Sequence, residues 1–458
     1  MYQINFDNPV RIHFIGIGGI SMSGLAEVLL QRGFVISGSD NHGSELTKML
    51  EEKGATIFYG QRASNITDDV DLVVYTAAIH PDNPEFEEAD RRGLPMLTRA
   101  ELLGQIMRNY KVPIAISGTH GKTTTTSMIT MILMEAGLDP TVSVGGMLKE
   151  IGGNFRIGGE EYFITEACEY TNSFLSFFPK IGLILNIEED HMDFFKDLDD
   201  IYASFRKFAS LLPEDGTLII NRDIPSYEKI TKDLSCRVVT FSVTDRNADY
   251  SADGITYDEN GKATFLLYGQ KDRAFTLNVP GEHNVANALA SVALSDVLKI
   301  PQETAAKGLL SFGGTDRRFQ IKGELNKITI VDDYAHHPTE IRATLKAAKK
   351  HKKDRIVCVF QPHTYTRTKA FFDDFADALS NADLIVLSDI YAARETDNLG
   401  ISSKDLMEAI RERGKECYYF PSFDEIENFL LQNCEPGDLL ITMGAGDIVK
   451  VGENLLGL

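Results

Sequence analysis

A short loop of glycine, threonine, histidine and lysine carries the clearest chemical signal in the sequence. It reads Gly118-Thr-His-Gly-Lys-Thr-Thr124, follows the apolar run Ile114–Ser117 and precedes a helix predicted over Ser127–Glu135. Glycines let successive backbone N–H groups point at phosphate oxygens, and a helix N-terminus favours negative charge. Lys122 adds a positive charge for the β- and γ-phosphates, and the Thr123 hydroxyl suits Mg²⁺. The spacing is shorter than the common phosphate-loop spacing, but strand, loop and helix together predict an ATP or GTP site.

A second glycine-rich turn, near the N-terminus, indicates a site for a nucleotide diphosphate. The segment from Ile15 to Gly24 follows a predicted strand and opens a helix predicted over Met22–Gln31. With Asp40 about 20 residues further on, this order resembles the dinucleotide-binding fingerprint. Ser21, however, stands where the third glycine belongs. NAD(P) is the default ligand for this motif alone, but the additional ATP-type loop favours a nucleotide-linked substrate.

Acidic residues and a histidine follow two further apolar runs in the region of the phosphate loop. One group is Glu166-Ala-Cys-Glu169, and the other runs from Asn186 to Asp193 and contains His191. Because ligands bind beyond the carboxyl ends of strands in open α/β sheets, both groups are expected near the loop. Mg²⁺ prefers oxygen ligands, which Glu166 supplies directly. Spacing alone leaves open whether His191 binds the metal or is structural.

Length, charge and cysteine content limit the class of protein. The chain has 458 residues, a formal net charge of −21 and five cysteines without CxxC spacing. This length suggests two to four domains, and the negative charge argues against nucleic acid as a partner. No apolar run approaches the ~20 residues of a membrane span, and no signal peptide is recognisable at the N-terminus. Dispersed cysteines are typical of reduced thiols, so we expect a cytoplasmic protein without a membrane partner.

The hydrophobic pattern predicts an α/β fold in three domains. Short apolar runs alternate with amphipathic segments, including a helix near Leu46–Glu52, which is typical of βα units around parallel sheets. The runs Ile12–Ile17, Ile114–Ser117 and Arg355–Phe360 each begin a new phase of this pattern. We therefore predict domains over residues 1–109, 110–316 and 317–458.

A set of segments, taken in order, resembles the Mur ligase family over nearly the whole chain. They are IGIGGISMSG, SGSDN, TAAIHPDNPE, SGTHGKTTTT, EACEYTNSF, NIEEDHMD, GEHNVANALA, GGTDRRFQ, DDYAHHPTE, FQPHTYTRT and MGAGDI. GIGG and DDYAHHPTE are similar to the segments of the alanine-adding members. The resemblance implies a Rossmann-like N-terminal domain that binds a UDP-sugar. It also implies a central P-loop-type domain for ATP and Mg²⁺, and a C-terminal Rossmann-like domain for the amino acid.

The resemblance also assigns residues to sites. The UDP-sugar site would contain Gly18, Gly19, Ser21, Asp40, Thr76, Ala77, Ala78 and Arg99. The ATP site would contain Gly118, Thr119, His120, Gly121, Lys122, Thr123, Thr124, His283, Asn284, Asn287, Arg317, Arg318 and Asp332. The amino-acid site would contain Tyr334, His336, His337, His363 and Arg367. Mg²⁺, or Mn²⁺ in its place, would be held by Thr123, Glu166 and His191.

The activity implied is ATP-dependent ligation in peptidoglycan precursor synthesis. L-alanine would be joined to the lactyl carboxylate of UDP-N-acetylmuramic acid through an acyl phosphate, with Lys122, His191 and His336 in catalytic roles. Two positions depart from the family pattern, because Thr364 stands where arginine is common and Arg394 where glycine is expected. Both departures concern amino-acid binding rather than the reaction.

Other functions remain open at this level. A sister ligase would add a peptide or a different amino acid to the same sugar. An NAD(P)-dependent oxidoreductase would use the N-terminal glycine turn but leaves the GTHGKTT loop unexplained. A non-catalytic nucleotide-binding regulator is a third alternative, and both a monomer and a dimer are compatible with the sequence.

Overall fold

The structure, a computed structural model, describes residues 2–76, 78–270, 273–350, 355–393 and 395–458. Its strands form three separate sheets, one in each successive part of the chain, and parallel pairs occur in all three. The predicted three-domain α/β architecture is therefore confirmed. Across the described ranges, no helix combines the length and the apolar character that a bilayer-crossing segment needs.

The N-terminal sheet is parallel throughout. Its strands are β1 (Arg11–Ile15), β2 (Val35–Asp40), β3 (Thr56–Tyr59), β4 (Leu72–Tyr75) and β5 (Met96–Thr98). Its helices are α1 (Ile20–Gln31), α2 (Glu45–Glu52), α3 (Pro84–Arg91) and α4 (Arg99–Met107). The strand order is β3-β2-β1-β4-β5, so β2 and β3 lie on one side of β1 while β4 and β5 lie on the other. A glycine turn that follows β1 therefore lies at the position where doubly wound sheets bind ligands.

The central sheet has ten strands. They are β6 (Val112–Ser117), β7 (Thr141–Leu148), β8 (Gly153–Arg156), β9 (Tyr162–Ala167), β10 (Ile181–Ile184), β11 (Thr217–Asn221), β12 (Arg237–Ser242), β13 (Tyr250–Tyr257), β14 (Lys262–Leu267) and β15 (Ala274–Pro280). The helices are α5 (Lys122–Glu135), α6 (Leu198–Ala209), α7 (Glu228–Thr231), α8 (His283–Val297) and α9 (Gln302–Ser311). The order is β15-β14-β13-β12-β11-β10-β6-β9-β7-β8. Because β6 lies between β9 and β10, the three segments that follow these strands meet at one edge.

The C-terminal sheet has six strands. They are β16 (Gln320–Leu325), β17 (Ile328–Asp333), β18 (Ile356–Phe360), β19 (Leu384–Leu387), β20 (Glu416–Tyr419) and β21 (Leu439–Met443). The helices are α10 (Pro338–Ala348), α11 (Tyr365–Ala370), α12 (Phe372–Leu379), α13 (Ser403–Glu412), α14 (Phe423–Asn433) and α15 (Val449–Leu456). The order is β16-β17-β21-β18-β19-β20, and only the edge strand β16 is antiparallel to its neighbour.

Three helices begin earlier than the sequence pattern predicted. The largest difference is in α5, which starts at Lys122 rather than Ser127 because Gly121, at φ 83°, ends the loop in the left-handed region. Helix α1 starts at Ile20 after the extended Gly19, and α2 starts at Glu45 after Ser44, which forms a capping box. The first turn of α5 consists of Lys122 and threonines, α2 begins with Glu45, and α1 begins with an exposed Ile20, so a search for buried apolar periodicity places all three starts too late.

The N-terminal domain packs closely on the central one. A Cβ added at Gly24 of α1 would lie 2.6 Å from the Phe155 ring, and one at Gly104 of α4 would lie 1.9 Å from the carbonyl oxygen of Ser176. One hydrophobic cluster continues from Phe14 of the first sheet to Phe163 of the second. The boundaries at 109/110 and 316/317 remain predictions.

Candidate active site

The phosphate loop between β6 and α5 is held by side chains from neighbouring strands and helices. Asn186 accepts from the His120 N–H at 2.7 Å and donates to the His120 carbonyl at 3.0 Å. Gly118 and Gly121 have φ values of 141° and 83°, so each adopts a backbone conformation that glycine tolerates best. A Cβ at Gly121 would lie 2.6 Å from Asn287 Oδ1, so α8, which carries Asn287, packs closely against the loop. Asn186 was not assigned a role from the sequence.

Lys122 is folded back onto this loop. Its Nζ donates to the carbonyl oxygens of Gly118 and Thr119, the latter at 3.0 Å, and forms an ion pair with Glu169 Oε2 at 3.0 Å. Burial alone would lower the pKa of Lys122, but Glu169 and Cys168 outweigh it and raise the pKa. Lys122 is therefore positively charged, at the N-terminus of α5, where a phosphate oxygen would meet both charge and free N–H groups. Glu169 is a second site residue that sequence reasoning left without a role.

Oxygen donors for a cation meet beside Lys122. Glu166, at the end of β9, accepts from the Gly145 N–H, and a Cβ at Gly145 would lie 2.8 Å from Glu166 Oε2. A Cβ at the adjacent Gly146 would lie 3.3 Å from Cγ2 of Thr123. The absence of side chains at these two glycines thus leaves room for Glu166 and Thr123 beside β7. This carboxylate and hydroxyl have the donor chemistry that Mg²⁺ prefers.

His191 lies on the other side of Glu169. Its Nε2 is 4.0 Å from Glu169 Oε1 and 3.8 Å from Asp190 Oδ2, and its ring stacks on Tyr170 with centroids 4.5 Å apart. Burial lowers the pKa of His191, although Asp190 and Glu169 act in the opposite direction. A neutral imidazole next to carboxylates can serve as a metal ligand. The residues predicted for Mg²⁺ therefore fit a cation that completes its shell with water and phosphate oxygens.

A cavity of 210 Å³ lies beside the phosphate loop, between the central and C-terminal domains. Phe241, Val279 and Phe312 supply apolar walls. Of the residues predicted to bind ATP, those that line the cavity are His120, Gly121, Thr124, His283, Asn284, Asn287 and Arg318. Asn287 donates to Asn284 Oδ1 at 3.0 Å, so the two amides hold each other in place. Apolar walls with a few fixed polar groups suit a purine ring next to the phosphate loop.

Arg317 and Asp332 do not line this cavity, and their place in the ATP site stays a prediction. Arg317 donates to Asp332 Oδ2 at 2.9 Å and to the Gly444 carbonyl oxygen at 2.7 Å, while Asp332 is fully buried. The pair therefore joins strand ends inside the C-terminal domain. Asp333, the next residue, faces the cavity instead, because successive residues of a strand point to opposite sides. Burial raises the pKa of Asp333 to about 6, although Arg318 opposes the shift.

A second cavity, of 670 Å³, lies where the C-terminal domain meets the segment that contains His191. Its polar lining includes Asp190, His191, His363, Arg367 and Glu395. Arg367 donates two hydrogen bonds to Asp190 Oδ1, at 2.9 and 3.2 Å, and lies 3.4 Å from His363 Nδ1. Asp190 was missed by sequence reasoning, because its partner is 177 residues away in the chain.

The other three residues predicted for amino-acid binding lie outside the lining of this cavity. Tyr334 is packed between the guanidinium groups of Arg317 and Arg318, at 4.9 and 5.2 Å from its ring centroid. His336 is next to the cavity, with its ring centroid 6.0 Å from that of His363. His337 instead caps α10 and contacts the central domain through the carbonyl oxygen of Glu189 at 3.1 Å.

His336 is a neutral imidazole in these surroundings. Burial lowers its pKa to about 4, although Glu340 opposes the shift. Nδ1 lies 3.0 Å from the carbonyl oxygen of Tyr334, so it carries the proton of the neutral ring and donates it to that oxygen. Nε2 is then the nitrogen with a free lone pair and is able to accept a proton.

Thr364, the first departure from the family pattern, has a structural role. It has φ 66°, and its side chain accepts from the Arg367 N–H at 3.4 Å as the N-cap of α11. Glu395 accepts from the Thr366 N–H at 3.2 Å at the same helix end. Both contacts fix the helix that carries Arg367. Arg394, the second departure, lies outside the described residues.

The N-terminal glycine turn also has partners from other elements. The Gly18 N–H donates to Asp40 Oδ2 at 2.9 Å, so Asp40 is bound to the turn itself. Arg99 Nη1 donates to Ser21 Oγ at 3.2 Å, and a Cβ at Gly16 would lie 3.7 Å from Thr76 Cγ2. The structure thereby brings Gly18, Gly19, Ser21, Asp40, Thr76 and Arg99 to one strand edge, with Ala78 donating its N–H to Thr76 Oγ1 at 3.3 Å. Ala77 lies outside the described residues.

The glycine turn and the phosphate loop lie in two domains that pack directly on each other. Arg99, which donates to Ser21 of the turn, begins α4, and α4 packs at Gly104 against Ser176 in the segment that follows β9. Lys122 of the phosphate loop forms its ion pair with Glu169 in the same segment. A diphosphate-linked acid at the turn and a triphosphate at the loop would therefore bind in adjoining domains, on either side of this segment.

Known proteins with the same sequence features also share this architecture. A protein of Lachnospira eligens named UDP-N-acetylmuramate--L-alanine ligase is 60% identical over 458 residues, which cover 100% of both chains. The relative with the same name from Agathobacter rectalis is 59% identical over 100% of both chains. The crystal structure of the UDP-N-acetylmuramate-alanine ligase of Thermotoga maritima is 30% identical, covers 98% of each chain and superposes with a TM-score of 0.80.

A murein peptide ligase from Psychrobacter arcticus is a more distant structural relative, at 27% identity, 98% coverage of each chain and a TM-score of 0.70. Three family models match successive parts of the chain. They are the Mur ligase family, catalytic domain, at residues 11–111, the Mur ligase middle domain at 116–295 and the Mur ligase, glutamate ligase domain at 317–446. On these matches, the chain belongs to the Mur ligase family.

Proposed function

We propose that the chain joins L-alanine to the lactyl carboxylate of UDP-N-acetylmuramic acid and converts ATP to ADP and phosphate. The observation that carries this proposal is that Lys122 of the phosphate loop and His191 of the second cavity both lie against Glu169, at 3.0 and 4.0 Å. Relatives at 59–60% identity over the full length bear the name of this activity. The carboxylate is a poor electrophile, so the reaction requires activation before the amine attacks.

In the first step, a lactyl carboxylate oxygen attacks the γ-phosphorus of ATP. The new P–O bond gives an acyl phosphate, and the bond to the β-phosphate oxygen breaks to release ADP. Lys122, freed from Glu169, neutralises charge on the transferring phosphoryl group. Bound Mg²⁺, held by Thr123, Glu166 and His191, would supply further positive charge at the phosphate oxygens.

In the second step, the alanine amine attacks the acyl carbon, and the C–O bond to phosphate breaks. The amine must be neutral to attack and must lose a proton afterwards. His336 Nε2, with its free lone pair beside the cavity that contains His363, is our proposed acceptor of that proton. Arg367 is proposed to hold the alanine carboxylate through the guanidinium N–H groups that Asp190 leaves free.

Contacts between the central and C-terminal domains keep water from the acyl phosphate. Arg367 binds Asp190, Thr339 donates to Glu188 at 2.6 Å, and His337 contacts the Glu189 carbonyl oxygen. Thr339 and Glu188 line the nucleotide cavity, and Arg367 and Asp190 line the amino-acid cavity. A closed interface at this position would favour attack by the amine over hydrolysis.

The reaction is tested by phosphate release with each substrate left out in turn. We expect phosphate and ADP in equal amounts only when ATP, UDP-N-acetylmuramic acid and L-alanine are all present. Glycine, L-serine and the tripeptide substrate of a peptide ligase form the comparison panel. Faster turnover with the tripeptide would assign the chain to the sister activity. Oxidation of a nicotinamide without ATP consumption would assign it to another class.

Arg367→Lys is expected to raise the KM for L-alanine at least tenfold and to change the KM for ATP less than twofold. The lysine preserves the positive charge next to buried Asp190 but loses the two-pronged geometry, which is worth about 1–3 kcal/mol for a charged hydrogen bond. Initial-rate kinetics with one substrate varied at a time measure both constants.

Arg342→Lys is the matched control. Arg342, on α10, forms an exposed ion pair with Asp374, on α12. It is expected to behave like the wild type in both constants. A larger rise in the KM for ATP than in that for alanine would remove Arg367 from the amino-acid site.

A further inference from the structure

Two histidines and a glutamate form a compact group between the central and C-terminal domains, separate from the proposed Mg²⁺ ligands. His120 and Glu188 come from the central domain, and His337 comes from the N-terminus of α10. One ligand atom of each lies within 4.8 Å of the others. Within the described ranges, this is the single set of three histidine, cysteine or acidic side chains that is close enough to hold one ion.

The His120 ring is oriented as a metal ligand would be. Its Nδ1 lies 3.1 Å from Glu340 Oε1, and its Nε2 is buried, 3.5 Å from Glu188 Oε2. Among the residues that the structure describes, Nε2 has no partner with hydrogen-bond geometry. In metal-bound histidine, one ring nitrogen binds the cation and the other usually donates to a carboxylate, which orients the ring.

His337 has a comparable arrangement. Its Nε2 lies 3.1 Å from the Glu189 carbonyl oxygen, and its Nδ1 accepts a longer bond, at 3.3 Å, from the Thr339 N–H. A metal bound at Nδ1 would replace the contact with the Thr339 N–H, and the Nε2–H would keep its hydrogen bond to the Glu189 carbonyl oxygen. The His337 ring centroid is 4.9 Å from that of His120, so the two rings are neighbours across the domain interface.

We propose that His120, Glu188 and His337 form a transition-metal site, for an ion such as Zn²⁺, that bridges the two domains. Two nitrogen donors and one oxygen donor favour Zn²⁺ or Co²⁺ over Mg²⁺, which prefers oxygen. Ligands of a tetrahedral Zn²⁺ lie roughly 3.4 Å apart, given bonds near 2.1 Å. The His120–Glu188 distance of 3.5 Å matches this, and the ligand atom of His337 lies within 4.8 Å of both.

The proposed metal site shares two residues with the cavity proposed for ATP. His120 and Glu188 also line the cavity proposed for ATP. A metal that ties them to His337 would hold the interface closed while the cavity contains no nucleotide. Zn²⁺ is therefore expected to stabilise the nucleotide-free form, and the inference does not depend on which substrate the ligase uses.

The test is titration of the nucleotide-free, full-length protein with Co²⁺, followed by its visible absorption. A tetrahedral site with nitrogen ligands gives intense bands, whereas Co²⁺ bound through oxygen and water gives weak ones. His191→Ala removes the nitrogen of the proposed Mg²⁺ site and is expected to retain the intense bands. His337→Ala and the isosteric Glu188→Gln are expected to bind Co²⁺ at least tenfold more weakly.

His42→Ala is the matched control, because His42 is exposed and lies in the N-terminal domain. It is expected to bind Co²⁺ like the wild type. Zn²⁺ should also raise the thermal midpoint of His191→Ala but not that of His191→Ala/His337→Ala, since a ligand stabilises the form that it binds. Wild-type Co²⁺ affinity in Glu188→Gln and His337→Ala would overturn the proposal, as would loss of the intense bands in His191→Ala.

Discussion

Lys122→Ala is expected to lower the rate of ADP formation by at least ~10³-fold, the range seen when a group that stabilises transferring charge is removed. Lys122 is the one lysine of the phosphate loop, and it is the first residue of α5. Its positive charge interacts more strongly with the phosphate oxygens as the bond between the γ-phosphorus and ADP breaks. The binding constant for UDP-N-acetylmuramic acid, measured by calorimetry, should change less than twofold, because that site is formed by the N-terminal domain.

The variant also leaves Glu169 buried without its cation, which is destabilising in itself. The double variant Lys122→Ala/Glu169→Gln removes both charges and separates a folding defect from a catalytic one. Lys180→Ala is the control, because it breaks a surface ion pair with Asp215. ADP formation by Lys122→Ala within tenfold of the wild-type rate would contradict the phosphate-loop assignment.

Glu166→Gln is expected to raise the Mg²⁺ concentration for half-maximal activity by at least tenfold. The amide keeps the size of the side chain and an acceptor for the Gly145 N–H, but it loses the negative charge that attracts a divalent cation. Saturating Mg²⁺ should therefore restore part of the activity. Activity measured over a series of Mg²⁺ concentrations gives this constant directly.

Glu161→Gln provides the comparison, because Glu161 is exposed and immediately precedes β9, at the opposite end from Glu166. Its dependence on Mg²⁺ should match that of the wild type. A Glu166→Gln variant whose activity is lost to the same extent at every Mg²⁺ concentration would show that the carboxylate does not act through the metal.

The fold and the outline of the site could be predicted from the sequence because both depend on local signals. An apolar strand followed by glycines and a helix is recognisable within about a dozen residues. Two such units, together with the apolar run Arg355–Phe360, indicated the three regions. The order of the motifs then gave the family. Local signals also explain the misplaced start of α5, because its first turn is made of threonines rather than apolar residues.

Partners of the motif residues could not be predicted, since they come from distant parts of the chain. His120 meets Glu340 across 220 residues, and Arg367 meets Asp190 across 177. Burial also gives the adjacent residues Asp332 and Asp333 different partners. Asp332 is bound to Arg317, whereas Asp333 faces the nucleotide cavity. A single sequence contains no signal for either effect, because both are decided by how the domains pack.

The way the three domains are joined determines where the enzyme can flex. The N-terminal and central domains share one apolar cluster, and Gly104 lies with its Cα against the Ser176 backbone. Separating these two domains would therefore expose apolar surface to water. The C-terminal domain has its own clusters and meets the central one through charged and polar side chains that water can solvate. We therefore expect any opening of the protein to occur along that polar interface, with the N-terminal and central domains moving together.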